Sequence, residues 1–324
     1  MLRPRLLNHP RIVNTASITI FTTLLFSQAC PQIALAADPS ADAAQTSGTQ
    51  RSDSQQETTA EVSVEAERQT DLAMQTMTIS DTPNAGPQPK HLSVVVGAAA
   101  GVGPVYLGSK KDRVSPIPYV DVRGILGGRL FISDVSGVGI NLVDIGGFRA
   151  GLNLNGGGGR KSKDDPRLKG LPDISNAAIA SGFVAYWLNP FSFQADIARR
   201  VGSHPGTEAD VAVAYTVAPV HNLQLNFSTG LLWADAKTQN TIYGISPADA
   251  AHATALGNPL SPYSPGSGLV NATGTVTAVY LLGEHWGLLG RIGLNELIGN
   301  SAKDSPLTQR TFEPDVAFGV LYVF

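Results

Sequence analysis

The chain has almost no cysteine and little charge. Its one cysteine, Cys30, lies near the N-terminus, and charged residues make up 15% of the 324 positions. Soluble domains usually contain about 25% charged residues. Because no cysteine follows Cys30, the rest of the chain has no means of forming a disulfide, a cysteine–zinc site or a thiol nucleophile.

Long apolar runs and an excess of basic residues are also missing. After the N-terminal region, no stretch approaches the roughly 20 apolar residues of a spanning helix, which excludes a helical membrane protein. The formal net charge of −3 excludes a strongly basic nucleic-acid binder, and we expect no nucleic-acid partner. The 34 glycines and the short alternating segments instead favour β-structure that faces both water and lipid.

The first 36 residues have the features of an export signal. Arginines precede Ile12–Phe26, which is uncharged and mostly apolar, and a small-x-small triplet occupies residues 34–36. This order predicts a signal peptide over residues 1–36. A membrane anchor would need a longer apolar stretch, and a lipoprotein cysteine at Cys30 would usually follow a leucine where Ser27 stands.

Residues 37–90 have the composition of a solvated segment. They contain no aromatic residue and carry nine acidic against three basic residues. Such a segment buries too little apolar area to offset the entropy of ordering it. We therefore expect a disordered acidic tether over 37–90 in the periplasm, with a segment that folds on a partner as the alternative. Residues 91–324 hold 17 basic and 17 acidic residues, so this part attracts no polyanion through its net charge.

Residues 91–324 alternate between apolar and polar side chains. Between residues 223 and 233, apolar residues occupy most odd positions, whereas Gln224, Asn226 and Ser228 occupy even ones. A period of two residues predicts β-strands. A soluble sandwich would alternate too, but these segments reach about 10 residues, aromatic residues mark their ends, and short connections alternate with long ones. We predict an all-β fold: a transmembrane antiparallel up-and-down β-barrel of about 12 strands.

Twelve strands put both termini on the periplasmic side and the long connections outside. Pro116 and Pro118 predict a bulge or a short second strand, because proline cannot donate to a ladder. The third and fourth strands have the weakest pattern. The predicted strands are 92–107, 113–122, 129–134, 137–143, 147–158, 174–188, 191–201, 208–218, 222–233, 269–282, 286–298 and 311–324.

Eight charged residues fall on the inward register of these strands. Arg291 is expected to meet Asp315 or Glu313, since closure brings the last strands together. The charges either form ion pairs inside a filled lumen or line a selective pore. The eight lumen charges are Asp121, Arg149, Asp196, Arg200, Asp210, Arg291, Glu313 and Asp315.

Motifs for catalysis or metal binding are not found. The histidines after the tether are scattered over turns and loops, and none accompanies a serine in a triad pattern. Gly156–Lys161 lacks the Gly-Lys-Ser/Thr ending of a phosphate loop and is expected to be a flexible outer loop. The basic residues between 160 and 169 either contact lipopolysaccharide phosphates or form a solvated loop. We expect no enzyme and no catalytic, cofactor or metal site.

The C-terminus carries an alternating aromatic pattern at Phe318, Tyr322 and Phe324. It resembles the signal by which the barrel assembly machinery recognises outer-membrane barrels. Residues 94–324 further resemble the MipA/OmpV family in a series of motifs with matching order and spacing. These motifs are Gly103–Ser109, Pro116–Asp121, Asp164–Ile174, Trp233–Asp235, Thr241–Ala248, His285–Trp286 and Asp304–Pro306. The long tether departs from the family.

The resemblance implies a barrel without known catalytic activity in the cell outer membrane. One family member is described as a scaffold that bridges a lytic transglycosylase and a murein synthase, and others as adhesins or immunogenic surface proteins. We therefore expect a structural or scaffolding role in murein assembly. The expected partners are outer-membrane lipid, lipopolysaccharide, the barrel assembly machinery and murein-remodelling enzymes at the periplasmic side. A narrow pore for small solutes and a surface adhesin are the alternatives.

Overall fold

The computed structural model describes residues 84–85, 89–133, 135–202 and 204–324. The expected signal peptide over 1–36 and the tether up to residue 83 lie outside the described residues. The described chain forms a closed antiparallel barrel in which each strand pairs with its neighbour in sequence and the last strand pairs with the first. The predicted up-and-down barrel of twelve strands is confirmed.

The observed strands differ from the predicted ones by a few residues at their ends. Among the described residues, three α-helices and one 3₁₀ helix, Pro166–Leu168, lie in the long connections: α1 is Ala236–Tyr243, α2 is Pro247–Ala255 and α3 is Asn300–Lys303. The strands are β1 Ser93–Pro104, β2 Asp112–Ile125, β3 Leu130–Ser133, β4 Gly137–Ile145, β5 Phe148–Gly157, β6 Ala177–Leu188, β7 Phe191–Val201, β8 Gly206–Val220, β9 Leu223–Ala234, β10 Gly268–Leu282, β11 Trp286–Leu297 and β12 Phe312–Val323.

Alternation along each strand separates an apolar outer surface from a more polar lumen. On β9, Phe227 and Leu231 are each 42% exposed, whereas Asn226 is 2% exposed and Ser228 is 9% exposed. An outer surface of large apolar side chains around a partly polar interior is the arrangement of a transmembrane barrel. Among the described residues, no helix is long and apolar enough to cross a membrane.

The two prolines of β2 neither shorten the strand nor bulge it against β1. The strand has 14 residues, and its ladder to β1 runs from Asp112 to Arg123 without a shift. The irregularity lies instead on the β3 side, between Val122 and Ile125. Because proline cannot donate, this unbroken ladder requires that Pro116 and Pro118 direct their nitrogens away from β1.

Four long connections pack together at one end of the barrel, in a structure that we call the loop cap: residues 105–111, 158–176, 235–267 and 298–311. Its apolar core includes Tyr106, Leu168, Ile245 and Leu307. Hydrogen bonds also link the connections, since Arg167 Nη2 donates to the Pro306 carbonyl over 2.6 Å. The expectation of a flexible outer loop after Gly156 is therefore wrong, because this segment belongs to a packed structure.

The opposite, short-turn end of the lumen is filled by side chains. Val95, Tyr119 and Leu321 belong to one buried apolar cluster on the side of the first and last strands. Phe131 and Phe183 pack edge to face on the other side, with their ring centroids 6.2 Å apart. Side chains therefore fill the lumen at this end, and the loop cap covers the other.

Candidate functional site

The structure places all eight charged residues named from the sequence on the lumen face of their strands. They do not form one cluster. Asp121 joins a carboxylate–guanidinium pair with Arg123, whose Nε and Nη2 donate to the two carboxylate oxygens over 2.8 and 3.0 Å. Arg123 is fully buried and also lies 5.9 Å from the centre of the Phe131 ring. This two-point contact fixes the guanidinium in the packed half of the lumen.

A second group of charges lies on β7 and β8. Arg200 Nε donates to the Glu208 carboxylate over 3.4 Å. Asp196 and Asp210 occupy directly opposite positions in the β7–β8 ladder. The Asp196 carboxylate accepts from Gln194 Nε2 over 2.6 Å. Two buried carboxyl groups directly opposite each other do not both ionise readily, so this pair is unfavourable only where the pH is high enough to ionise both.

The third group links the last two strands. Arg291 Nη1 donates to Asp315 Oδ2 over 2.5 Å, and these side chains are 21% and 18% exposed. The Asp315 carboxylate lies over Gly293, where an added Cβ would be 2.1 Å from Oδ1. Glu313 does not contact Arg291 but accepts from the backbone nitrogen of Gly108 over 2.6 Å. Glu313 therefore holds the first connection of the loop cap against the rim.

Arg149 connects the wall to the segment that precedes β1. Its Nη2 lies 3.3 Å from Asp144, and its Nη1 donates to the backbone carbonyl of Asn84. Asn84 is 1% exposed, and its backbone nitrogen donates to Gln194 Oε1 over 3.0 Å. Residues 84 and 85, within the segment treated above as a tether, are thus buried against lumen side chains.

A cavity of about 700 Å³ lies in the lumen beneath the loop cap. Apolar side chains form most of its lining, together with Arg160, Arg200, Glu208 and Arg291. Arg160 is 7% exposed and its Nη1 donates to the Ile242 carbonyl over 2.6 Å. Burial lowers the pKa of this guanidinium from its ordinary value, although arginine remains charged at neutral pH.

Three of these residues were not identified from the alternating pattern. Arg123 has the same register as Asp121, but the second strand was predicted to end at residue 122, whereas β2 continues to Ile125. Glu208 has the same register as Asp210 and would have been found by the same rule. The sequence offered no signal that Arg160 would be buried, because its burial depends on the packing of separate loops.

The basic residues of the connection 158–176 are divided between two environments. Lys161, Lys163 and Lys169 are exposed, whereas Arg160 faces the cavity and Arg167 binds the Pro306 carbonyl. In the part of the chain that the structure describes, no group of three or more histidine, cysteine or acidic side chains is arranged to hold a metal ion.

The three C-terminal aromatic residues lie on the outer surface of β12 or just beyond it. Phe318 is 62% exposed and Phe324 is 72% exposed. Tyr322 packs edge to face against Trp286 and Phe324, with ring centroids 5.0 and 4.8 Å apart. This cluster forms an aromatic band at the short-turn end.

Comparisons with known proteins give one family match. The family described as "MltA-interacting protein MipA" matches residues 96–324. No curated protein matches the chain.

Solved barrels resemble the chain at low identity. The outer membrane protein OprD from Pseudomonas aeruginosa is 11% identical, with 74% of this chain and 67% of that chain covered and a TM-score of 0.33. The translocator domain of the autotransporter NalP from Neisseria meningitidis is 10% identical, with 83% and 98% covered and a TM-score of 0.33. The NanC porin is 9% identical, with 71% and 98% covered and a TM-score of 0.35.

Proposed function

Because the chain belongs to the MltA-interacting protein MipA family, we propose that it is a non-catalytic outer-membrane scaffold for murein-remodelling enzymes. In this proposal the short-turn end faces the periplasm and carries the partner, while the loop cap faces outward. The exposed Lys161, Lys163 and Lys169 of the cap are available to lipopolysaccharide phosphates. The segment before β1 then enters the barrel from the periplasmic side.

The observation that carries the proposal is the filling of the lumen at both ends. Glu313 accepts from the backbone nitrogen of Gly108, and Arg310 pairs with Asp112 at the start of β2. Both contacts hold the loop cap against the rim. At the other end, the Asp121–Arg123 pair and the apolar clusters occupy the interior. A barrel whose lumen is occupied by side chains at one end and covered by loops at the other is better suited to anchoring a partner than to conducting solutes.

Site-specific photocrosslinking tests the scaffold. Leu126, in the turn between β2 and β3, is 72% exposed and lies at the short-turn end. A photoreactive residue at this position in living cells should crosslink to a lytic transglycosylase. The same residue at Lys163, exposed on the loop cap, is the matched control and should not. The same residue is also placed at Glu284, in a second periplasmic turn. If the transglycosylase crosslinks at neither Leu126 nor Glu284, the support for this partner is removed.

A narrow pore is the second candidate. The cavity of about 700 Å³ and its four charged side chains Arg160, Arg200, Glu208 and Arg291 favour it. Liposome swelling in arabinose or glycine separates the two candidates. A pore would make the liposomes swell at a rate proportional to protein content, whereas the closed scaffold should leave them at the protein-free rate.

A further inference from the structure

One side of β2 has no neighbouring strand over more than half of its length. The strand pairs with β1 from Asp112 to Arg123, but with β3 only from Asp121 to Ile125. The cause is the length of β3, which has four residues, because a strand needs about 9–11 residues to cross the membrane. Likewise, β4 pairs with β5 only as far as Leu154. Among the described residues, the edges at 112–120 and 155–157 therefore have no ladder partner on these sides.

The free edge of β2 is protected against pairing. As shown by the unbroken ladder to β1, the nitrogens of Pro116 and Pro118 face away from that strand and hence toward this edge. Proline on an edge removes the donors that would otherwise recruit another strand. Because the two prolines keep another strand from pairing with this edge, the gap in the wall beside β2 can persist in the folded barrel.

The lumen cavity extends to this interruption. Its lining includes Ile117 and Tyr119, which face the lumen, and also Pro116, Pro118 and Val120, which face the lipid. A cavity that touches both faces of one strand must pass around the edge of that strand. The lumen is therefore open sideways, at the height of the apolar outer surface, while the loop cap covers it from above.

The chemistry of the cavity indicates an amphiphile with an acidic head. Its volume of about 700 Å³ lies within the range of about 300–1,000 Å³ for small-molecule sites. Two lining arginines, Arg200 and Arg291, already form ion pairs with carboxylates. The Arg160 guanidinium bonds to the Ile242 carbonyl and contacts the Tyr106 ring. The charge of Asp173 acts on it from a distance, but the guanidinium forms no direct ion pair with any described carboxylate.

A buried cation that no carboxylate contacts directly is unfavourable, and an anion brought next to it recovers part of that energy. We propose that the opening between β2 and β5 admits the hydrocarbon chain of an anionic single-chain amphiphile from the lipid phase, and that Arg160 binds its head group. The apolar wall holds the chain, and the loop cap keeps water away from the guanidinium. The scaffold function neither requires nor excludes this site.

Fluorescence quenching from the lipid phase tests the opening. In the full chain with Cys30→Ser, a bimane label is attached at Ile117→Cys or, as a second lining position, at Ala99→Cys. The control is Thr275→Cys, which also faces the lumen but lies on β10, across the barrel from the opening and outside the cavity lining. The reference is the lipid-facing Val320→Cys.

The vesicles contain phospholipids with nitroxide groups on their acyl chains. Correct folding of each variant is checked by its heat-modifiable gel mobility. The lining positions should be quenched at least half as strongly as Val320→Cys, and Thr275→Cys should be nearly unquenched. Quenching at both lining positions no stronger than at Thr275→Cys would show that lipid chains do not enter, and would overturn the proposal.

Calorimetric titration tests the head group. Wild type should bind hexadecanoate at least tenfold more tightly than Arg160→Gln does, while binding of uncharged hexadecanol should be the same for both proteins. Lys163→Gln, which removes an exposed cation of the same connection, is the control and should resemble wild type. Palmitoyl-lysophosphatidylglycerol replaces hexadecanoate in a parallel arm, and the tighter ligand identifies the source as membrane lipid or free fatty acid. Equal hexadecanoate affinity for wild type and Arg160→Gln would refute the assignment of Arg160.

Discussion

The ion pair between Arg291 and Asp315 offers the sharpest test of the lumen geometry. Its Nη1–Oδ2 distance is 2.5 Å, and both side chains are largely shielded from water. A hydrogen bond to a charged group contributes about 1.5–3 kcal/mol. Loss of one partner from a fully buried pair costs about 3–5 kcal/mol, and partial exposure places this pair below that range. Asp315→Ala should therefore lower the free energy of unfolding by about 1.5–3 kcal/mol.

A double-mutant cycle isolates the interaction itself. Arg291→Ala added to Asp315→Ala should cost little more than Asp315→Ala alone, because both changes remove one contact. The measurement is reversible urea unfolding in detergent micelles, followed by tryptophan fluorescence and by heat-modifiable gel mobility. Additive costs would show that the two residues are not coupled.

Gly293 provides an independent steric test of the same pair. A Cβ at this position would be 2.1 Å from Asp315 Oδ1, so Gly293→Ala should displace the carboxylate and cost nearly as much as Asp315→Ala. The same substitution should be harmless in the Asp315→Ala background. Gly290→Ala is the matched control, because nothing lies within 4 Å of its added Cβ. If Gly293→Ala is as mild as Gly290→Ala in the wild-type chain, the carboxylate does not occupy the described position.

Three further predictions concern the wall and the loop cap. Leu225→Arg, on the lipid-facing register of β9, should cost about 2–4 kcal/mol near the midplane. Asn226→Ala should cost less than about 1.5 kcal/mol, because it removes one hydrogen bond to Thr216 in the lumen. Equal costs in urea unfolding would show that the assignment of lipid-facing and lumen-facing residues is wrong. Asp210→Asn should raise stability by about 0.2–1 kcal/mol at alkaline pH, where it removes the like charge opposite Asp196, and should change it little at neutral pH; a lower unfolding midpoint at alkaline pH would contradict this. Arg167→Ala should speed proteolysis of the connection 298–311 in micelles, because two hydrogen bonds to Pro306 are lost, and Lys163→Ala should not; equal cleavage rates would disprove this role.

The sequence determined the strands well, because their pattern is local. In β9 and β12, alternation fixes which side chains meet lipid and which meet the lumen, and closure adds the neighbours. The contact between Arg291 and Asp315 could be anticipated for this reason, as one of two partners for Arg291. The exact choice of Asp315 over Glu313 depends on a ladder register that alternation does not provide.

The loop cap was missed, although part of its signal was present. Ser246 accepts from the backbone nitrogen of Asp249, and Pro247 begins α2, so this segment contains an ordinary helix-start pattern. The strand pattern places the long connections outside but assigns no helix within them. Its packing against Leu168 and Leu307 depends on contacts between distant segments, which no local pattern encodes.

The interruption beside β2 had a sequence signal that was read differently. Pro116 and Pro118 predict a bulge or a short strand because proline cannot donate to a ladder, and a free edge beside an unbroken strand is a third way to accommodate them. Only the observed length of β3 explains why a spanning strand can carry two prolines here. The cavity and the burial of Arg160 follow from the same tertiary arrangement.

Single-channel recording of the full chain in planar bilayers tests the closed scaffold most directly. A general porin reconstituted by the same procedure is the positive control for the recording, and protease protection of the reconstituted wild type confirms that it has inserted. We predict that the wild type inserts without steady unit conductance, whereas the control shows openings. Stable ohmic channels of any unit conductance from the wild-type chain would contradict the account.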